Sequence, residues 1–265
     1  SQDLGFLVQP VHIRDNLDLS PSAYRITLHG VPLGESEIHP GKEMAINPGQ
    51  VFGTLNGAAT KDPAFGLEAL WIEPNLRDEA QAMGYTVVDC STVIATHLSE
   101  LLKQHAHELL GHDEVQQLLD LLAKSSPKLV ENLVPGTLSL SVVLKVMQNL
   151  LEENIPIKDV RTIAESLAEN AAKSQEADVL TAQARVALSR TIYQQINGMA
   201  PELQVMTLDP ELEQILLNVL QGSATSGGLE PGLADNMLHQ ISSSAQAQAT
   251  QGQTPVLLVA TALRT

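Results

Sequence analysis

Four histidines, His97, His105, His107 and His112, crowd one short stretch of the chain. Imidazole is the side chain most often used to bind metals and to move protons near neutral pH. The run His107-Glu108-Leu109-Leu110-Gly111-His112 resembles the H-E-x-x-H zinc motif with one residue too many. Two helical ligands share a face at i and i+4; at i+5 they diverge by about 140° on a helix advancing ~100° per residue. His105 and His112 do share a face, but seven residues at a rise of ~1.5 Å set them roughly 10 Å apart, too far for one ion. These are read as solvated or partly packed helix histidines, and His12 and His29 as polar-side strand residues. No metal site is expected.

Nucleophilic catalysis has no better foothold. There is no G-x-S-x-G elbow to present a serine, and Cys90 has no local activating signature. The glycines of Asn47-Pro48-Gly49 and Gly53-Thr54-Leu55-Asn56-Gly57 lack the G-K-[ST] ending that brings lysine and hydroxyl to phosphate and magnesium, so they are read as turns. No catalytic residue and no cofactor is assigned, although a soluble enzyme whose site is assembled from scattered residues stays open.

A binding feature stands out instead. Asp62-Pro63-Ala64-Phe65-Gly66 sets one of only three phenylalanines in a Pro- and Gly-bounded loop beside a carboxylate. Phe65 either folds back onto its own domain or stays exposed as an anchor for an apolar, partly basic partner.

The elements that must position these residues are mixed. Val11-His12-Ile13-Arg14 and Tyr24 to His29 read as strands, the second by alternation of Tyr24, Ile26 and Leu28 with polar residues. Between Pro40 and Cys90 the pattern gives a strand at Glu43 to Ile46, a Gly-rich loop, a strand at Leu67 to Ile72, a short helix and a strand at Tyr85 to Val88. Ser91 caps a helix running to Leu110, and Asp113 with Gln116 resembles a capping box for the next. A helix follows Ser139 with Leu140, Val143, Leu144, Met147, Leu150 and Leu151 on one face, and Pro156 ends it. Val160 to Leu167 and Ala177 to Ile196 continue the helical period. Then come a strand at Leu203 to Leu208, a helix opened by Asp209-Pro210 and stopped by Gly222, a loop from Ser223 to Gly228, a helix at Ala234 to Ala249, and a buried strand from Pro255 to Ala260.

The fold class is therefore α+β and multidomain. A small mixed α/β domain at 1–40 and 90–110 holds an inserted α/β domain at 41–89. An all-helical domain spans 111–190, and a C-terminal α/β domain spans 191–265; the first and last are expected to be incomplete. A length of 265 residues favours several compact units. With aromatics at 3% and hydrophobic residues at 43%, the cores must be aliphatic. The formal charge of −16 argues against nucleic acid or an anionic membrane surface as partner. One cysteine permits no internal disulfide and fits a reducing compartment. No apolar run reaches the roughly 18 residues of a membrane span.

Several segments together resemble the cytoplasmic domain of the FlhA family, the export gate proteins of flagellar and injectisome type III apparatus. They are Val11 to Leu17 (VHIRDNL), Asp62 to Leu67 (DPAFGL) with Trp71-Ile72, Ser91 to Leu98 (STVIATHL), Leu144 to Leu151 (LKVMQNLL), Arg161-Thr162-Ile163 and Gly228 to Asp235 (GLEPGLAD). The DPAFGL segment is closer to the flagellar branch, with an injectisome homologue as the alternative. The resemblance implies four subdomains, a nonameric ring beneath the membrane pore, and a location at the cytoplasmic face of the bacterial inner membrane. It also implies a groove that receives export chaperones with their cargo, together with contacts to other export components. The family's groove residues fall on Asp62, Phe65 and Thr96. Phe65 would supply apolar contact, Asp62 an acceptor and a charge, and Thr96 a hydroxyl at the groove wall.

Overall fold

The computed structural model describes residues 4–220, 231–250 and 254–264. The chain divides into two compact units, Ser1–Leu188 and Ser189–Thr265.

The first unit opens with an extended segment rather than a strand. Val11, Ile13 and Leu17 are exposed at 55%, 93% and 98%, and among the described residues no strand pairs with 11–14. Without a partner the backbone groups of this stretch stay with solvent, so β-type residues alone do not make it a strand. The alternating segment does form β1 (Ala23–Leu28), which pairs antiparallel with β2 (Val31–Glu37). Their turn, His29-Gly30, has φ of 49° and 84°, the left-handed pair that a two-residue hairpin loop requires. His29 is thus a turn residue and not a polar-side strand residue.

Four further strands, β3 (Glu43–Ile46), β4 (Ala58–Lys61), β5 (Glu68–Ile72) and β6 (Thr86–Asp89), form an antiparallel sheet in the order β4-β5-β3-β6. Sequence periodicity misses β4, whose residues Ala-Ala-Thr-Lys carry no apolar alternation. Both faces of this sheet are covered, and the alternation of each strand decides what lies on which. Ala45, Ile72 and Val87 pack with Leu55 and with Ala80 of α1 (Arg77–Ala82). Met44, Ala69 and Trp71 pack on the opposite face with Val93 of α2 (Cys90–Gln104).

Helix α2 is capped by Asp89, not Ser91: the Asp89 carboxylate accepts from the Thr92 backbone N–H at 2.7 Å. A carboxylate at a helix N-terminus is also favoured by the helix dipole, and these bonds hold the Asp89 pKa below the usual carboxylate range. The helix stops at Gln104. His105 breaks it, and α3 (Ala106–Leu109) follows. The periodicity rule for ligand spacing therefore does not run across this stretch as one helix.

The helical region comprises α4 (His112–Ala123), α5 (Pro127–Glu131), α6 (Leu140–Glu152), α7 (Val160–Asn170) and α8 (Ala177–Ala187), with a π-type turn at Asn132–Thr137. At the start of α4 the Gly111 N–H donates to Glu114 at 3.0 Å, so the cap precedes the Asp113–Gln116 pair. Helix α6 is the centre of this core, with Val143, Val146, Met147 and Leu150 fully buried. The long helix expected from Ala177 to Ile196 is broken at Leu188, where the first unit ends.

The second unit contains α9 (Ser189–Asn197), β7 (Met206–Thr207), α10 (Pro210–Leu220), α11 (Pro231–Thr250) and β8 (Leu257–Leu258). Strands β7 and β8 pair in parallel, each only two residues long. Leu257 and Leu258 are 36% and 58% exposed, so the final apolar run is not the buried strand its composition suggests. Asp209 accepts from the Glu211 N–H at 2.9 Å and Pro210 opens α10, as the sequence implies. Gly222 and the loop from Ser223 to Gly228 lie outside the described residues.

Truncating Leu150 to Ala should destabilise the first unit by about 2–5 kcal/mol, whereas Leu121→Ala, at a position 62% exposed, should stay within ~0.5 kcal/mol. Chemical denaturation of the two variants checks this: equal losses would contradict the assignment of α6 as the core.

Candidate functional site

The loop joining β4 to β5, residues 62–67, is closed by its own first residue. The Asp62 N–H donates to the Leu67 carbonyl, and the Asp62 carbonyl accepts from the Gly66 N–H, each at 2.8 Å. The Asp62 side chain turns inward, where Oδ2 accepts from the Phe65 N–H at 2.7 Å. Asp62 is 2% exposed and Phe65 61% exposed. Gly66, at φ of 70°, supplies the left-handed step that lets the chain re-enter β5. Asp62 and Phe65 are thus brought together through backbone and carboxylate, and the same bonds leave the phenyl ring outside.

This outcome decides between the two fates open to Phe65, in favour of the exposed ring. It also changes the part of Asp62. The carboxylate is buried beneath the loop, so its acceptor capacity is directed at the loop backbone rather than offered at a surface.

Thr96 lies on α2, half-buried, on the flank of the stripe Val93, His97 and Leu101 that faces inward. Among the described residues no hydrogen bond joins Thr96 to Asp62 or Phe65. Its neighbour His97 connects the helix to the hairpin. His97 is 5% exposed, and its Nδ1 is hydrogen-bonded to the Tyr24 hydroxyl at 2.8 Å, with the two rings edge to face at 5.7 Å. A Cβ on Gly34 would come within 2.7 Å of His97 Nε2, so only glycine lets β2 close over this ring.

Burial lowers the His97 pKa, opposed by the charge of Asp62. Burial likewise pushes the Tyr24 hydroxyl up to about 12; the Asp62 charge acts in the same direction and a bond to Ser36 against it. The carboxylate under the Phe65 loop is therefore an electrostatic neighbour of both rings, and Tyr24, Gly34 and His97 together knit β1, β2 and α2. Sequence reading treats His97 as one helix histidine among several. The i, i+4, i+8 spacing of Val93, His97 and Leu101 is the signal that singles it out.

The remaining histidines do something simpler. His105 Nδ1 meets Glu108 Oε1 at 2.6 Å, with His107 Nε2 at 3.9 Å from the same oxygen. The hydrogen bond from His105, with the charges of His105, His107 and His29, lowers the Glu108 pKa. Among the described residues no three of His, Cys, Asp or Glu converge where a metal could be held. An open depression of about 360 Å³ lies between the N-terminal segment and α4, lined by Phe6, Leu7, Leu118, Leu121, Glu114 and Lys158. It is mainly apolar, and its Glu114 carboxylate already bonds the Gly111 N–H and the Gln9 amide.

A family model described as FHIPEP family matches residues 1–265. The flagellar biosynthesis protein FlhA of Escherichia coli K12 is 53% identical over 264 residues; the match covers 100% of this chain and 38% of that protein. The chain thus spans well under half the length of this curated relative. Among solved structures, the Chlamydia pneumoniae CdsV and CdsO complex superposes with a TM-score of 0.83 at 26% identity, covering 99% of this chain and 78% of that one. The nonameric SctV-C of EPEC superposes with a TM-score of 0.69 at 20% identity, covering 97% and 84%, a likeness of fold. Among the described residues no single helix is long and apolar enough to cross a membrane.

The lowered pKa of His97 has a direct consequence. In the unfolded chain the ring takes up its proton at about pH 6.5; in the folded chain it does so only at lower pH. The stability contributed by the neutral, buried ring is full above that value and is lost as pH falls from about 6.5 through the folded pKa. Melts at about pH 7.5 and 5.5 should show a larger loss for the native chain than for His97→Gln; equal losses would contradict the assignment.

Proposed function

The chain belongs to the FHIPEP family, and from that premise we propose that it is a docking platform of the flagellar export gate, binding export chaperones loaded with cargo at the loop that carries Phe65. The observation that supports this most is the exposed Phe65 on a loop whose backbone is tied down. An aromatic ring on a fixed loop has little conformational freedom to lose on binding, which is how binding hot spots are built. In this reading Phe65 enters an apolar pocket of the partner, Asp62 acts from beneath by fixing the loop, and the Thr96 hydroxyl lies at the wall formed by α2.

We read the chain as non-catalytic and as one protomer's cytoplasmic portion. It would assemble into a ring of nine at the cytoplasmic face of the inner membrane and meet further export components there. The division into a first subdomain at 1–40 and 90–110, an inserted one at 41–89, a helical one at 111–190 and a C-terminal one at 191–265 belongs to the same reading. The nonameric SctV-C and the CdsV and CdsO complex are precedents among similar folds for a ring and for partner binding. A flagellar rather than injectisome role is favoured by the 53% identity to a flagellar relative against 26% to CdsV.

The buried carboxylate and the exposed ring should separate in experiment. Phe65→Ala should leave the melt within ~0.5 kcal/mol of the native chain yet weaken chaperone–cargo binding by about 2 kcal/mol, roughly thirtyfold. Asp62→Ala leaves the Phe65 N–H without its partner and should lower stability by about 1–3 kcal/mol as well as binding. Thermal melts and titration calorimetry on both variants decide: unchanged binding by Phe65→Ala, or a collapsed melt, would overturn the reading.

A further inference from the structure

The packing of the first unit falls into two groups. Strand β6 runs into α2 with no residue between them, Asp89 closing the strand and Cys90 opening the helix. The Cys90 thiol reaches the carbonyls of His39 and Lys42 at 3.4 and 3.6 Å, which ties the chain entering the sheet to the chain leaving it. Met44 and Trp71 seat Val93 on the sheet face, while Gly34 and Tyr24 seat His97 against the hairpin. The hairpin, the four-stranded sheet and α2 are thus one body. Helix α3 belongs to the other. It packs on α6, Ala106 and Leu110 are buried, and the Gln148 amide donates to the Leu110 carbonyl at 3.0 Å.

The chain passes between these groups at two places. Residues 4–6 still lie with the helical region: the Leu4 carbonyl accepts from the Ile157 N–H at 3.2 Å, and Phe6 is buried. Gly5, at φ of 96°, makes this approach possible, because a Cβ there would stand 2.6 Å from the Lys158 nitrogen. Residues 9–18, which lead on towards the hairpin, are exposed throughout. A run of that length reaches up to roughly 30 Å, so it limits separation without fixing an angle. The second passage is His105, where α2 ends and α3 begins. One non-helical residue between two helices is a place where a change of φ and ψ turns one body against the other.

That joint is clasped. His105 Nδ1 is hydrogen-bonded to Glu108 Oε1 at 2.6 Å across the step, and the His105 carbonyl accepts from the Glu108 N–H at 3.1 Å. His29, at the hairpin turn, acts on the same carboxylate through its charge. Beside it His107 Nδ1 is buried with no hydrogen-bond partner among the described residues. A buried ring nitrogen left unpaired stores strain that a second arrangement of the step relieves. We propose that the His105–Glu108 hydrogen bond is a latch on a hinge at His105. It holds the hairpin, sheet and α2 at one angle to the helical region and, when broken, frees them to take another. The latch is independent of the docking reading. A partly exposed pair shifts such an equilibrium severalfold rather than switching it outright.

The test uses the whole chain with spin labels carried on p-acetylphenylalanine, which leaves Cys90 in place, at the exposed positions Gln81, Ser99 and Glu169. Double electron–electron resonance then reads α1 to α2 within one body and α1 to α7 across the hinge. His105→Ala and Glu108→Ala should each widen the 81–169 distance distribution about twofold, with the 81–99 distribution and the melt unchanged. The two substitutions together should widen it no further, because they remove the same bond. An 81–169 distribution as narrow in both variants as in the native chain, or widening that adds in the double variant, would overturn the latch. Equal widening between 81 and 99 would put the motion inside the sheet and α2 and overturn the hinge at His105. A melt lowered by both variants would make the pair a stabilising contact only, and would overturn the proposal as well.

Discussion

A carboxylate cannot be buried without partners, and Asp62 finds one in the amide of the residue three places on. That bond shapes the loop. With Oδ2 committed to the Phe65 N–H, the backbone of residues 62–67 folds into a closed turn over the buried carboxylate, and the Phe65 ring stays outside. Burying the acid is what exposes the aromatic. The acid and the aromatic of the DPAFGL segment therefore face in opposite directions, one inward and the other to solvent.

The support extends inward through two rings. Tyr24 from β1 and His97 from α2 share a hydrogen bond within reach of the Asp62 charge, and Gly34 lets β2 pack against them. On the other side Trp71 and Met44 seat Val93, fixing α2 across the sheet face. The loop is thus closed by its own hydrogen bonds, and its carboxylate acts on Tyr24 and His97 through its charge. A binding surface held this way can present an apolar ring to water at low conformational penalty, because little remains to be ordered when a partner arrives.

Much of this was legible in the residues. Strands with one buried and one covered face, such as β3 and β5, announce themselves by apolar content, and α6 by its heptad-like stripe. The extended segment 11–14 and the strand β4 were not legible, for one reason. Pairing depends on what lies alongside, and Val11-His12-Ile13-Arg14 has strand-forming residues without a partner while Ala58–Lys61 has a partner without them. The site divides in the same manner. Phe65 is visible as an aromatic between Pro63 and Gly66, but the burial of Asp62 does not follow from its residue type, and the role of His97 depends on contacts with the β1–β2 hairpin far away in sequence.

The Asp62 turn holds the Phe65 ring in water, and in the proposed docking a partner then covers it. Fluorine NMR on the chain labelled with 4-fluorophenylalanine reads this directly, because there are three phenylalanines and the Phe65→Leu spectrum assigns the resonance in question. The account predicts a Phe65 signal that moves between light and heavy water in the free chain and loses that sensitivity when a chaperone–cargo complex is added, while buried Phe6 responds to neither. A Phe65 signal as insensitive to solvent as that of Phe6, or one unmoved by a complex that binds, would contradict it.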